Sequence, residues 1–230
     1  MSIIKNKKYF SILGDSVSTL DGYSYPEYAS YYSGARKFEA NIFSPADTWW
    51  GQVIDRLGGE LLVNNSFSGS TVCFDPCYEI QSYGCSEERT SGLARDGLTP
   101  DVIMIFMGIN DWGRGTKLIG KDSSDPSCFS GAYDQMLKRL KINYPGAELW
   151  CFTLPIGTCS RDDEFAFPYC RGGVHIDEYC KVIRDCARKN GAKLIDIYGA
   201  EPYDTVDGFH PDSTGMRTLS TAVLALPDNE

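Results

Sequence analysis

Five short apolar runs, each bounded by turn residues, constrain this 230-residue chain more than any other feature. They occupy residues 9–13, 60–64, 102–107, 148–154 and 193–198. Runs of that length, apolar at nearly every position, suit strands buried on both faces, as in a parallel sheet. Amphipathic stretches of helical period lie between and after them, at 46–57, 133–143, 176–189 and 213–226. Alternation of this kind predicts an α/β fold with a doubly wound sheet. Pro45-Ala46-Asp47 opens the first helix, Asn143-Tyr144-Pro145-Gly146 closes the second, and Asn190-Gly191 ends the third with a pair able to turn left-handed. The connections 22–44, 111–130 and 156–173 are longer than ordinary loops, a length usually kept for function.

The chain has the length of one domain, residues 1–230, and shows no repeat or linker-like shift in composition. Acidic residues outnumber basic ones by 31 to 22, and the net charge of -9 repels phosphate backbones and anionic lipid surfaces. No nucleic-acid partner is expected. The first residues carry lysines but no apolar stretch of signal length, and no run approaches the roughly 18 residues of a membrane span. The expectation is a soluble, cytoplasmic protein without membrane insertion. Nine cysteines, an odd number, then read as reduced thiols acting as small hydrophobes. Cys73, Cys77 and Cys85 cluster and Cys159 and Cys170 bracket a loop, but neither spacing is that of a Cys-x-x-Cys zinc pair.

Ligands of an open parallel sheet bind beyond the carboxyl ends of its strands. Four polar clusters fall there: Gly14-Asp15-Ser16 after the first run, residues 64–70 after the second, Gly108-Ile109-Asn110-Asp111 after the third, and Asp207 to His210 past the fifth. They supply a serine, an imidazole and a carboxylate. A serine hydroxyl attacks at neutral pH only if a base takes its proton, and a histidine base works best when a carboxylate fixes its tautomer. Asp207 and His210 are three residues apart, close enough to meet in a tight turn, and His175 is the only other histidine. Asp212 and Ser213 suffice to cap the last helix, which leaves Asp207 free for the imidazole. Asp15 and Asp111 are read as loop-holding acceptors of backbone N–H groups. Trp49, Trp50 and the tyrosines at 23, 25, 28, 31 and 32 offer flat faces to a sugar ring, although packing and loop anchoring account for most of them.

In this order the four segments resemble the blocks of the SGNH hydrolase superfamily, the GDSL esterases and lipases, over nearly the whole chain. The resemblance implies a three-layer α/β/α sandwich with a five-stranded parallel sheet of flavodoxin-like type. It places the nucleophile at Ser16, an oxyanion-hole glycine at Gly69, an oxyanion-hole asparagine at Asn110 and the Asp-x-x-His pair at Asp207 and His210, with the N–H of Ser16 as a third oxyanion donor. The sequence departs from the pattern at Val17, where the family name has leucine, and at Ser66, where many members have glycine. No Gly-x-Ser-x-Gly elbow surrounds Ser16, which argues against the larger α/β-hydrolase fold.

The expected activity is that of a serine esterase, independent of cofactor and metal, acting on a small-molecule ester. A short acyl group on a carbohydrate or other polar alcohol is favoured. The alternatives are an acyltransferase on the same scaffold, a lysophospholipase or thioesterase, a thiol-dependent enzyme, and a non-catalytic binding module.

Overall fold

The computed structural model describes residues 7–74, 82–120, 124–158, 167–170 and 172–226. Strands β1 (Tyr9–Gly14), β2 (Glu60–Ser66), β3 (Val102–Phe106), β4 (Glu148–Phe152) and β5 (Lys193–Ile195) form one sheet in the order β2-β1-β3-β4-β5. Every pairing is parallel. The side chains explain why: β3 reads VIMIF and is buried throughout, as a strand covered on both faces must be. The helices are α1 (Gly34–Ala40), α2 (Trp49–Arg56), α3 (Glu87–Ser91), α4 (Ile109–Arg114), α5 (Phe129–Asn143), α6 (Ile176–Asn190) and α7 (Ser213–Leu224). α2 packs against α7, and α5 against α3 and α6, so a helical layer covers each side of the sheet. This is the doubly wound sheet expected from the apolar runs, in the flavodoxin-like α/β/α sandwich that the resemblance implies.

The chain leaves β1 outward to β2 and returns to β3 on the other side, so the connections reverse between β1 and β3. At that point Gly14 lies level with Ser66 of β2 and Phe106 of β3. A Cβ on Gly14 would come within 2.6 Å of Ser66 Oγ and 2.7 Å of Ser18 Cβ, so only glycine lets the turn after β1 fold back this tightly.

Three short helices lie where the sequence reads as loop or turn: α1 inside 22–44, α3, and α4 across Gly108-Ile109-Asn110-Asp111. None has an amphipathic period long enough to register, and each depends on contacts from elsewhere. α4 starts from Gly108, whose φ of 123° is open to glycine. α5 begins at Phe129, four residues before its periodic stretch, because Ser130 and Gly131 mask the first turn. Gly131 packs so closely on residue 125 that a Cβ there would overlap the Asp125 carbonyl.

Candidate active site

All four polar clusters sit at the carboxyl edge of the sheet. Ser16 opens a short 3-10 turn (Ser16–Ser18) after β1, capped by Asp15, whose side chain accepts the Val17 N–H at 3.1 Å. Ser16 is only 2% exposed. His210 reaches it from the segment between β5 and α7, with Nε2 2.9 Å from Ser16 Oγ. On its other side, His210 Nδ1 lies 2.8 Å from Asp207 Oδ2. The opposite oxygen, Asp207 Oδ1, accepts the backbone N–H groups of Phe209 at 3.1 Å and His210 at 2.8 Å.

Burial works to raise the Asp207 carboxyl. The hydrogen bonds and charge of His210 and the Tyr31 hydroxyl outweigh it and hold Asp207 well below the usual carboxylate range. Being ionised, Asp207 only accepts, so Nδ1 carries the ring proton and Nε2 is left to accept the serine hydroxyl. α7 is capped by Asp212, which accepts from the N–H groups of Thr214 and Gly215, so Asp207 is indeed spared that task.

Asn110, in the first turn of α4, is tied to the loop after β2 that holds Gly69. Asn110 Nδ2 donates to the Ser70 carbonyl at 3.0 Å, and Arg114 donates to the Gly69 carbonyl at 2.9 Å. Gly69 has a φ of 80°. Among the described residues, the N–H groups of Ser16 and Gly69 are paired with no acceptor. The Phe67 N–H donates to the Gly14 carbonyl, tying this loop to the end of β1. Asp111 accepts from the N–H groups of Val72 and Cys73 at 2.8 and 3.1 Å, the loop-holding role expected of it.

Two residues whose part the sequence did not reveal organise the site, Arg89, which it left unmarked, and Tyr31, which it offered only as one of several aromatic faces. Arg89 is fully buried and donates to Gly14 O, Asn65 O and Ser70 Oγ, each at 2.8 Å, and to Ser82 O at 3.1 Å. In sequence it sits in the polar stretch Ser-Glu-Glu-Arg-Thr, where nothing marks it as a buried residue. Tyr31 stacks on the His210 imidazole with ring centroids 3.5 Å apart. Of the other aromatics, Trp49, Trp50 and Tyr32 are buried, Tyr25 and Tyr28 are bonded to Gly92 O and Glu88, and Tyr23 is about half exposed. Anchoring therefore accounts for most of them.

Cys73, Cys85, Cys128, Cys151, Cys170, Cys180 and Cys186 are free and buried, while Cys77 and Cys159 lie outside the described residues. Burial pushes the thiols of Cys85, Cys151, Cys180 and Cys186 up to about 12, and Cys73 higher, which makes them poor nucleophiles. Among the described residues, no group of three or more His, Cys, Asp or Glu is placed to hold a metal, and no helix is long and apolar enough to cross a membrane.

Residues 8–154 match the family described as GDSL-like Lipase/Acylhydrolase. The chain belongs to that family. The matched stretch takes in Ser16, Gly69 and Asn110 and ends before Asp207. No curated protein sequence matches. Among solved structures, one similar protein is assigned as a GDSL-like lipase from Bacteroides uniformis, with a TM-score of 0.71, 28% identity, and 95% of this chain and 94% of the other covered. Another, from Bacteroides ovatus, has a TM-score of 0.72 and 25% identity, covering 96% and 97%. The carbohydrate acetylesterase Est24 from Sinorhizobium meliloti shares the fold at a TM-score of 0.64 and 15% identity, covering 94% and 97%. Membership of this GDSL-like family carries the coarse activity, hydrolysis of ester bonds.

Next in sequence to Ser16 and Asn110 stand two fully buried carboxyls, Asp15 and Asp111. Burial pushes Asp15 up to about 7 against the Val17 N–H, with the charge of Asp111 adding to the rise. Burial likewise brings Asp111 to about 6 against the Val72 and Cys73 donors. Each binds its proton more tightly folded than at its ordinary value of 3.8. The stability each contributes is therefore full below about pH 4 and is lost as pH rises through about 6 to 7. Asp207, held low, contributes stability with the opposite sign, present above the unfolded value and lost as pH falls. Asp15→Asn should remove the largest part of the decline. Denaturant titrations at about pH 4 and about pH 8 should show the wild-type-to-variant difference changing by a few kcal/mol, at about 1.4 kcal/mol per pKa unit. A difference independent of pH would count against the buried proton on Asp15.

Proposed function

We propose that the chain is a serine esterase that works through an acyl-enzyme on Ser16. The observation that carries this reading is the unbroken hydrogen-bonded series from Asp207 through His210 to Ser16, at 2.8 and 2.9 Å. In the first half-reaction His210 Nε2 takes the serine proton as Oγ attacks the ester carbonyl. The tetrahedral oxyanion is met by the N–H groups of Ser16 and Gly69 and the remaining N–H of the Asn110 side chain. His210 then returns the proton to the departing alcohol. In the second half-reaction the same imidazole takes a proton from water as it attacks the acyl carbonyl, the bond to Ser16 Oγ breaks to release the carboxylic acid, and the proton returns to Ser16 Oγ; Asp207 stabilises the imidazolium formed in both.

The preferred substrate is a short acyl group on a carbohydrate or other polar alcohol. The tight enclosure of Ser16 favours the short chain, and a carbohydrate acetylesterase is built on the same fold. A fluorophosphonate probe should add once to native protein, on the peptide carrying Ser16, and p-nitrophenyl esters should be turned over best at acetate. Modification elsewhere would overturn the nucleophile. A maximum at long chains such as decanoate would overturn the substrate preference.

A further inference from the structure

Tyr31 is bound to the Asp207-His210-Ser16 series at three points. Its ring lies flat on the His210 imidazole, centroids 3.5 Å apart and planes 14° from parallel. Its hydroxyl donates to Asp207 Oδ2 at 2.7 Å, the oxygen that faces His210 Nδ1. Its backbone N–H donates to Thr19 Oγ1 at 3.0 Å, and Thr19 Oγ1 donates to the Ser16 carbonyl at 2.9 Å. Hydrogen bonds and the stack thus close a loop through Ser16, Thr19, Tyr31, Asp207 and His210.

The neighbours hold this tyrosine in one arrangement. Arg36 donates to the Tyr31 hydroxyl at 3.2 Å, so a cation occupies the phenol's acceptor side and its proton is left facing Asp207. Burial, then the bond to Asp207 and its charge, raise the phenol well above its ordinary value, so it remains a donor at neutral pH. The adjacent Tyr32, fully buried, donates to the Pro211 carbonyl at 2.7 Å and fixes the backbone next to His210.

We propose that Tyr31 is a positioning residue for His210: its ring sets the plane of the imidazole and its hydroxyl fills the remaining acceptor site of Asp207. The proposal rests on the reading of Ser16, His210 and Asp207 as the catalytic series. An imidazole held only at Nδ1 is free to swing about that bond, which carries Nε2 away from Ser16. A ring stacked on its face removes that freedom. When the imidazole becomes cationic during attack, the electron-rich face of the phenol adds a favourable cation–π contact present in the transition state. An effect confined to that step lowers kcat and spares KM.

The test compares Tyr31→Phe with Tyr31→Leu on p-nitrophenyl acetate, alongside the rate of fluorophosphonate addition to Ser16. Tyr31→Phe keeps the stack and should stay within about threefold of wild type, whereas Tyr31→Leu should lose about tenfold in kcat with KM within about twofold. Probe addition should slow in parallel. Should the leucine variant not fold, Tyr31→Met, similar in reach and lacking a π face, carries the same expectation. Undiminished kcat in a folded variant without the ring would overturn the proposal, as would a loss residing in KM or a phenylalanine variant no better than leucine. In each of those cases Ser16 is still labelled in wild type and the catalytic series stands. Wild-type protein not labelled at Ser16 would overturn the series and the role of Tyr31 together.

Discussion

Alanine at Ser16 should lower kcat by about a millionfold while leaving the fold intact, since loss of the nucleophile in a serine hydrolase costs about what loss of its whole triad costs. The side chain is small and its hydroxyl faces His210 Nε2, so its removal opens little space in the core. Asp207→Asn should cost less, about ten-thousandfold. An amide N–H turned toward Nδ1 would drive the ring proton to Nε2, where it blocks acceptance of the serine proton. The ranking is as informative as either loss, because a structural pair would show no such order. Steady-state kcat on p-nitrophenyl acetate gives both numbers. A Ser16→Ala protein within tenfold of wild type would end the proposed mechanism.

The second large effect is one of stability. Arg89→Met should destabilise the fold by about 3 kcal/mol, since it removes four buried hydrogen bonds made by a charged group. Burial lowers the guanidinium to about 10, which still leaves it charged at neutral pH. Its acceptors are Gly14 O and Asn65 O at the ends of β1 and β2, and Ser70 Oγ and Ser82 O beyond β2, so the substitution takes a charged donor from four buried oxygens at once. Lysine should not restore the loss, because an ammonium lacks the planar fork that spans those acceptors. Urea unfolding provides the measurement. A loss below about 1 kcal/mol would mean that water or a shifted loop satisfies those groups.

The contrast between Ser16 and Arg89 shows what could be read from the chain and what could not. Strands are recognisable because burial on both faces leaves unbroken apolar runs, and the parallel order then sends every run's polar sequel to the same edge. That Ser16, Asp207 and His210 meet was legible for that reason, with few histidines to choose among. Arg89 and Tyr31 were not, because their roles depend on partners far away in the chain. Arg89 lies 75 residues from Gly14 and Tyr31 176 from Asp207, with no period linking them. The helices show the same division. α6 and α7 carry their own periodicity, while α4 exists because Gly108 turns and Asp111 is held by the loop after β2.

Ser16 and His210 are separated by 194 positions, and the histidine arrives on the segment after the final strand. Under the proposed mechanism no early portion of the polypeptide contains a working site, so a partly assembled sheet holds an inert hydroxyl. Recovery of turnover during renaturation therefore reports the docking of the last segment, and should trail the return of the far-ultraviolet circular dichroism signal.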